Sequence, residues 1–253
     1  MLKHNLPDSR TRRRPNPRRY RHACRLQLSA VRGTEHHGGP VCRLPQRLRG
    51  LPRGDYHFSL ALQNYSAMNQ SFFSPARKTG INGQPVHSWR VAILPYLGQV
   101  GLFGKYDFSE PWDSPKNRAI ANQMPREFRC PSDTRASVDE TSYVMITGKG
   151  TVGGDPGTRG TPIGAIGAHR SPRFTILVVE VPGLKIPWTE PRDITVEELV
   201  QRVGPGPGGR ASHLRGFNVA LCDGSVRFLP VAIDREKLRR LALYDEEPVK
   251  LDE

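Results

Sequence analysis

The stretch that decides the fold is His213-Leu-Arg-Gly-Phe-Asn-Val-Ala-Leu-Cys-Asp223-Gly224-Ser225-Val226-Arg227-Phe228. A strand over residues 216–222 puts the following apolar side chains on one face by alternation: Phe217, Val219 and Leu221. Asp223 and Gly224 suit the two positive-φ positions of a tight type I′ turn. Val226 and Phe228 then continue the apolar face. The stretch therefore predicts a β-hairpin.

Helical signals lie mainly upstream of this hairpin. Apolar residues spaced by three or four positions predict an amphipathic helix: Phe58, Leu62, Tyr65, Met68 and Phe72. Ser88 is expected to cap a second helix that Pro95 bends or interrupts. Ser114 before Pro115 predicts the start of a short helix.

The rest of the chain alternates between strand patterns and helix caps. Strands are predicted at residues 128–130, 142–146 and 175–181. Thr195 and Glu198 form a capping box, and Asp234 is placed to cap a last helix. With 25 glycines and 23 prolines, many turns are expected. The fold class predicted is α+β, with helices first and then a mostly antiparallel sheet joined by Gly/Pro-rich loops.

Several short segments occur in a fixed order: Leu62-Gln-Asn64-Tyr65, His87-Ser88-Trp89-Arg90, Glu110-Pro-Trp112-Asp113, Phe128-Arg129-Cys130-Pro131, and His213 nine residues before Asp223-Gly224. Together they span roughly residues 57–243. In this order the chain resembles a large bacterial family of prepilin-like proteins of the DUF1559 type, with a C-terminal H-X9-DG processing-associated domain. The family is also catalogued as solute-binding-protein-like, and its biochemical role is unassigned.

The resemblance implies a pilin-like head whose first helix is the end of a long N-terminal helix. It implies a non-catalytic envelope protein that acts in assembly, secretion or adhesion and contacts other pilin-like subunits or envelope proteins. Members of the family reach the membrane through an N-terminal apolar helix, which this sequence does not show before residue 57. Taken literally, this N-terminus would leave the chain in the cytoplasm.

The positive charge is concentrated at the N-terminus. Of the formal net charge of +14, residues 1–56 carry +11, because they hold 14 Lys and Arg against 3 Asp and Glu. They also lack a sustained apolar period, so disorder is expected there. The other 197 residues carry only +3, which argues against a nucleic-acid partner for the main domain.

Three interpretations of residues 1–56 remain open: a basic arm that binds nucleic acid by counterion release, a solvated tail, or a segment translated from a wrong reading frame. The upstream DNA would test the last interpretation. The predicted organisation is a disordered basic segment over 1–56, a prepilin-like domain over 57–243 and an acidic tail over 244–253.

His213 and Asp223 are the weak candidates for a metal site, since imidazole and carboxylate are common ligands. Glu180 and Glu190 could approach His213 across the sheet. The alternative is that His213 binds a loop carbonyl and that Asp223 serves the turn. Calcium, which some pseudopilins bind in C-terminal loops, would use the following aspartates, although they lack EF-hand spacing: Asp113, Asp133 and Asp223.

A second function would be binding of a small solute or glycan. Trp112, Trp188 and Glu190 combine aromatic faces with a carboxylate and are the candidates for that site. No catalytic residue is predicted, because the sequence has no G-x-S-x-G elbow and no phosphate-binding loop. Without a CxxC pair a structural zinc site is not expected. The family resemblance implies a helix cysteine upstream of Asn64-Tyr65 that could pair with Cys130; residues 57–70 contain none, so Cys130 is expected to be a thiol without a partner.

Overall fold

Short helices and strands alternate along the part of the chain that the computed structural model describes, residues 53–80, 85–155, 158, 160–169, 171–203, 213 and 215–246. The α-helices are α1 (Arg53–Met68), α2 (Trp89–Ala92), α3 (Val100–Lys105), α4 (Pro115–Arg118), α5 (Ile163–His169), α6 (Val196–Val203) and α7 (Arg235–Ala242). The strands are β1 (Arg77–Thr79), β2 (Pro85–Ser88), β3 (Tyr143–Val144), β4 (Ile146–Thr147), β5 (Ile176–Glu180), β6 (Ile194–Thr195), β7 (Gly216–Leu221) and β8 (Val226–Pro230). Within these described residues, four 3-10 helices cover Leu94–Leu97, Ala121–Gln123, Arg126–Phe128 and Pro172–Phe174.

A four-stranded antiparallel sheet in the order β3-β5-β7-β8 forms the centre. Every residue of β5 and β7 is buried, so both faces of the two central strands are covered. Two smaller pairs stand apart from this sheet: β1 with β2, which is antiparallel, and β4 with β6, which is parallel. The prediction of an α+β fold with a mostly antiparallel sheet is confirmed.

Each face of the sheet has its own apolar core. On one face α1 packs through Phe58, Ala61 and Leu62 against a cluster that includes Val178 and Ala220 of the central strands. The other face is covered by residues of α6 and α7: Leu199, Val203, Leu238 and Leu241. The sheet is therefore the middle layer between helices.

The capping predictions are confirmed. The side-chain oxygens of Ser88, Ser114 and Asp234 accept from backbone N–H groups at the starts of α2, α4 and α7. Thr195 and Glu198 exchange the two hydrogen bonds of a capping box, at 2.9 and 3.2 Å. Pro95 lies in a 3-10 helix after α2, as an interrupted helix requires.

The first helix ends before the last residue of its predicted apolar stripe, Phe72. α1 ends at Met68, whose side chain is 45% exposed. Gln70 and Ser71 have φ angles of 57° and 64°, left-handed conformations that end a helix. Phe72 lies beyond the helix and pairs with Pro162 in an isolated bridge.

Two strand predictions need correction. Residues 126–128 form a 3-10 helix after Pro125 instead of starting a strand. The strand predicted at 142–146 is divided into β3 and β4 at Met145. The Met145 backbone N–H donates to the Asp193 carboxylate at 2.9 Å, which diverts it from strand pairing.

The hairpin of β7 and β8 is present, but its turn is not type I′. Gly224 has a φ of 91°, whereas Asp223 is not among the residues with positive φ. The Leu221 N–H donates to the Ser225 carbonyl at 2.8 Å and the Gly224 N–H donates to the Leu221 carbonyl at 3.0 Å. This is a three-residue loop with a glycine bulge. Phe228 is 47% exposed instead of continuing the core face.

Among the described residues, no helix is long and apolar enough to cross a membrane. The predicted disorder of residues 1–56 lies outside the described residues except for the first turn of α1, and most of the predicted acidic tail also lies outside them. The three interpretations of the basic segment stay predictions.

Candidate functional site

Three distant segments of the chain meet at one cluster of ligand-type side chains. The Sγ atom of Cys130, a carboxylate oxygen of Glu180 and a ring nitrogen of His213 all lie within 4.8 Å of one another. His213 Nε2 is 3.3 Å from Glu180 Oε1 and 3.9 Å from Cys130 Sγ. We call these three residues the Cys-Glu-His cluster.

Cys130 is held by the turn that follows the 3-10 helix Arg126–Phe128. Its backbone N–H donates to Ser142 Oγ at 3.1 Å, and the Ser142 hydroxyl donates to Asp133 Oδ2 at 3.0 Å. The Ser132 N–H points at Sγ with an N···S distance of 3.4 Å. The sulfur is thus fixed in position at the edge of β3.

Glu180 is the last residue of β5 and is fully buried. Its Oε2 accepts two hydrogen bonds from Asn218 of β7, from the backbone N–H at 3.1 Å and from Nδ2 at 2.7 Å. Its Oε1 is buried as well and has no well-formed hydrogen bond from the described residues, although the Cys130 thiol lies beside the carboxylate. That oxygen points to the Cys-Glu-His cluster, where His213 Nε2 is its neighbour.

His213 enters the cluster from the segment just before β7. It forms an isolated bridge with Gly216, and its ring lies 6.0 Å from that of Phe228 between centroids. The imidazole side chain is 27% exposed, whereas the Glu180 side chain is 0% exposed. The cluster is therefore accessible from the His213 side.

The electrostatics of the cluster keep the thiol protonated. Burial, together with the neighbouring Glu180 carboxylate, raises the pKa of Cys130 to about 12, and the Ser132 N–H opposes this shift. A reactive cysteine needs an exposed, electropositive setting. Cys130 has neither property, since it is fully buried beside an acid.

The structure divides the candidates of the H-X9-DG pattern between two places. His213 precedes β7 and Asp223 follows it, so the strand separates them by roughly 20 Å at about 3.3 Å per residue. They cannot share one metal ion. Asp223 Oδ1 accepts from the Ser225 N–H and hydroxyl at 2.9 and 2.6 Å, which is the turn role considered for it. Gly224 supplies the positive φ of that turn.

Of the acids expected near His213, only Glu180 contacts it within the described residues. Glu190 instead pairs with Arg192 at 3.0 Å. The described side chains also do not assemble the calcium candidates into a cluster. Asp133 accepts from Ser142, while Asp113 lies 4.0 Å from Arg118.

The aromatic candidates for solute binding are not equivalent. Trp188 is fully buried, stacks on Phe128 with ring centroids 5.8 Å apart, and donates from Nε1 to the Ala121 carbonyl at 2.8 Å. It is a core residue and offers no face to a solute, which corrects its assignment. Trp112 is half-buried.

The sequence analysis did not predict a buried ion pair that the structure contains. Arg90 Nη2 donates to Asp193 Oδ1 at 2.8 Å, and both side chains are 0% exposed. The same oxygen accepts from Trp89 Nε1 and from the Met145 N–H. Arg90 stood in a recognised segment, but no local pattern marks Asp193.

Glu180 was expected near His213, but Cys130, which lies 50 residues before Glu180 in the sequence, was not predicted to join them. Among the described residues Cys130 and Cys222 are both free cysteines, and the expectation that Cys130 has no partner stays a prediction. The signal available in the sequence was the antiparallel pairing of β5 with β7, which places Glu180 at the end of β5 next to the start of β7.

A family model described as "Protein of unknown function (DUF1559)" matches residues 57–179, and its label carries a solute-binding-type name. No curated protein and no solved structure matches the chain. The match includes most of α1, together with Arg90 and Cys130, and it ends one residue before Glu180. Over these residues the chain matches the DUF1559 family of unknown function.

Proposed function

We propose that the chain is a non-catalytic, pseudopilin-like protein of the cell envelope that acts in assembly, secretion or adhesion. The observation that carries this proposal is the packing of α1 on an antiparallel sheet at the start of the family match. In a pilin-like fold this position belongs to the end of the long N-terminal helix, with the sheet forming the head.

The two sides of α1 support a role in assembly. Phe58 and Leu62 are fully buried against the head, whereas Leu60 is 44% exposed and Met68 is 45% exposed. Exposed apolar side chains on a helix gain burial when a neighbouring subunit covers them. Other pilin-like subunits are the partners that this surface would contact.

Site-specific photocrosslinking in the host cell tests the proposal. A photoreactive amino acid at position 60 or 68 should give crosslinks to a second copy or to another pilin-like subunit, identified by mass spectrometry. The same amino acid at Val138, which is 64% exposed outside α1, is the matched control. Equal crosslinking from all three positions, or crosslinks only to unrelated proteins, would contradict the proposal.

Solute or glycan binding is a second candidate, favoured by an open groove near the end of α1. The groove has a volume of about 340 Å³ and is lined by Tyr65, Asn69, Phe72, Pro75, Lys78, Thr79 and Thr158. Lys78 Nζ lies 6.0 Å from the Tyr65 ring centroid. Thermal shifts with a glycan panel, lost in Tyr65→Ala and kept in Trp112→Ala, would place a ligand here. The opposite result would return the site to Trp112.

Binding of nucleic acid through the Arg-rich segment is the weaker alternative and falls outside the described residues. Deletion of residues 1–56 tests it, since binding that survives the deletion cannot come from that arm. Calcium is not favoured by the Cys-Glu-His cluster, because it offers a single carboxylate and two ligands of other types.

A further inference from the structure

We propose that Cys130, Glu180 and His213 bind a divalent transition-metal ion, and that zinc is the ion this ligand set fits best. A thiolate, an imidazole and a carboxylate are the three protein ligand types of zinc sites. Hard cations such as calcium and magnesium take oxygen ligands instead. The proposal does not depend on the assembly role proposed above.

The spacing of the donor atoms agrees with this assignment. Metal–ligand bonds of 2.0–2.3 Å around a tetrahedral zinc ion place the donor atoms roughly 3.3–3.8 Å apart. In the cluster the Nε2–Oε1 distance is 3.3 Å and the Sγ–Nε2 distance is 3.9 Å. The distance from Sγ to a Glu180 carboxylate oxygen, at most 4.8 Å, closes the triangle. Small side-chain movements would complete the geometry.

A second, independent observation is the carboxylate oxygen Oε1 of Glu180. It is buried with no well-formed hydrogen bond from the described residues, and its neighbours are His213 Nε2 at 3.3 Å and the Cys130 thiol. A buried acceptor without a donor costs stability, and a cation in the cluster would remove that cost. Asn218 Oδ1, next to the cluster, is buried without a donor in the described residues as well. It is available to accept from a metal-bound water.

The residues around the cluster resemble an outer ligand shell. Asn218 fixes Oε2 of Glu180 with two hydrogen bonds, so that Oε1 is left for the ion. The Ser132 N–H directed at Sγ stabilises a thiolate. On binding, the thiol proton of Cys130 would pass to solvent as the S–metal bond forms.

A simple ion pair or a reactive thiol would account for less of this arrangement. An ion pair between Glu180 and His213 would not by itself account for the Cys130 sulfur lying beside both side chains. A cysteine nucleophile would need substrate access, but Cys130 is fully buried. A metal ion uses all three side chains and joins the Cys130 turn, the end of β5 and the start of β7.

Cobalt substitution in the full-length chain tests the site. Cys24→Ser and Cys42→Ser are introduced first, so that the N-terminal cysteines cannot supply a thiolate. One equivalent of Co²⁺ should give a thiolate-to-cobalt charge-transfer band together with the intense visible bands of four-coordinate cobalt. Zn²⁺ should displace the cobalt and raise the Tm.

The variants Cys130→Ser and His213→Ala should weaken zinc binding by more than the roughly 100-fold that loss of an outer-shell partner produces. Cys222→Ala is the matched control, because Cys222 is also free and buried but lies outside the cluster; it should bind zinc as the parent does. Circular dichroism of the metal-free proteins checks folding. If a variant does not fold, the parent spectrum decides, since cobalt binding without the thiolate band would overturn the proposal. Unchanged zinc affinity in a folded Cys130→Ser would also overturn it.

Discussion

Arg90 is the residue in which burial and charge conflict most. Its guanidinium is fully buried, where desolvation opposes a charge, and Asp193 is the counter-ion at 2.8 Å. Hydrogen bonds to the Tyr143 carbonyl and to Ser88 Oγ satisfy further N–H groups. The pair connects α2 with the segment before β6, so it stabilises the edge of the core that lies between α1 and the sheet.

Neutralising both partners together should cost less than the sum of the two single changes. We expect Asp193→Asn to lower the free energy of unfolding by about 3–5 kcal/mol, because it leaves a buried guanidinium unpaired. Asn can still accept from the Met145 N–H. The double variant Arg90→Met, Asp193→Asn should therefore lose less than the sum of the two single variants. Denaturant titration measures all three, and strictly additive losses would contradict the coupling.

His87 makes stability depend on pH. Its Nε2 lies 3.0 Å from the Phe108 carbonyl and its Nδ1 lies 3.0 Å from the Tyr106 hydroxyl, contacts that suit a neutral ring. Burial lowers the pKa of His87 below its ordinary value of 6.5; the Phe108 carbonyl and Asp107 oppose the shift, and Lys78 adds to it. Stability from this group is complete above pH 6.5 and is lost as pH falls, because the unfolded chain protonates first.

Replacing His87 should therefore flatten the acid side of the stability profile. Between about pH 7.5 and pH 5.5, His87→Gln should lose less unfolding free energy than the parent does. His169→Gln, at an exposed position, should keep the parental slope. Identical slopes in the parent and His87→Gln would show that another group controls the change.

At the scale of single elements, the entrance to β7 is the tightest point of the hairpin. A Cβ at Gly216 would lie 2.1 Å from the Leu229 carbonyl oxygen and 2.6 Å from the Phe228 ring. Gly101 in α3 has no atom within 4 Å of the same position. The same change to alanine therefore meets a crowded site at Gly216 and an open site at Gly101.

Gly216→Ala should destabilise the fold by about 1–3 kcal/mol through overpacking. Gly101→Ala should stabilise it by up to about 1 kcal/mol, because alanine favours a helix. Thermal unfolding gives both values. A neutral Gly216→Ala would mean that β8 moves aside without cost.

Local chemistry made some elements predictable from sequence. The caps at Ser88, Ser114 and Asp234 depend on side chains adjacent to the helix they start, so sequence alone identified them. The break at Met145 depends on Asp193, which is 48 residues away. The hairpin turn was misassigned because Asp-Gly fits both a two-residue and a three-residue loop.

For the whole molecule, the apolar core between α1 and the sheet should contribute strongly to the free energy of unfolding. Phe58 lies on the inner side of α1, is fully buried, and stacks on Phe128 with ring centroids 5.1 Å apart. Phe58→Ala should lower the unfolding free energy by about 3–5 kcal/mol. Leu60→Ala, on the exposed side of the same helix, should change it by less than about 0.5 kcal/mol. Comparable losses, measured by denaturant titration, would mean that α1 does not pack through Phe58.

The site could be predicted less well than the layers. Fold class follows from periodicity, which is local, and residues 57–179 carry enough ordered segments to identify the family. Glu180 was named as a neighbour of His213, yet Cys130 could join them only through the register of β3 and β5. Trp188 was misjudged because an aromatic residue between prolines gives no signal of its burial.

The number of residues between His213 and Asp223 corresponds to the length of one strand, β7, with its short flanks. The nine residues between them contain all of β7, so the two named positions mark where the segment enters and leaves the sheet. One inserted residue would exchange the sides on which Phe217 and Asn218 point and would detach Glu180 from its amide donors. In this chain the nine-residue spacing therefore sets the register of the sheet, and it needs no direct contact between the imidazole and the aspartate.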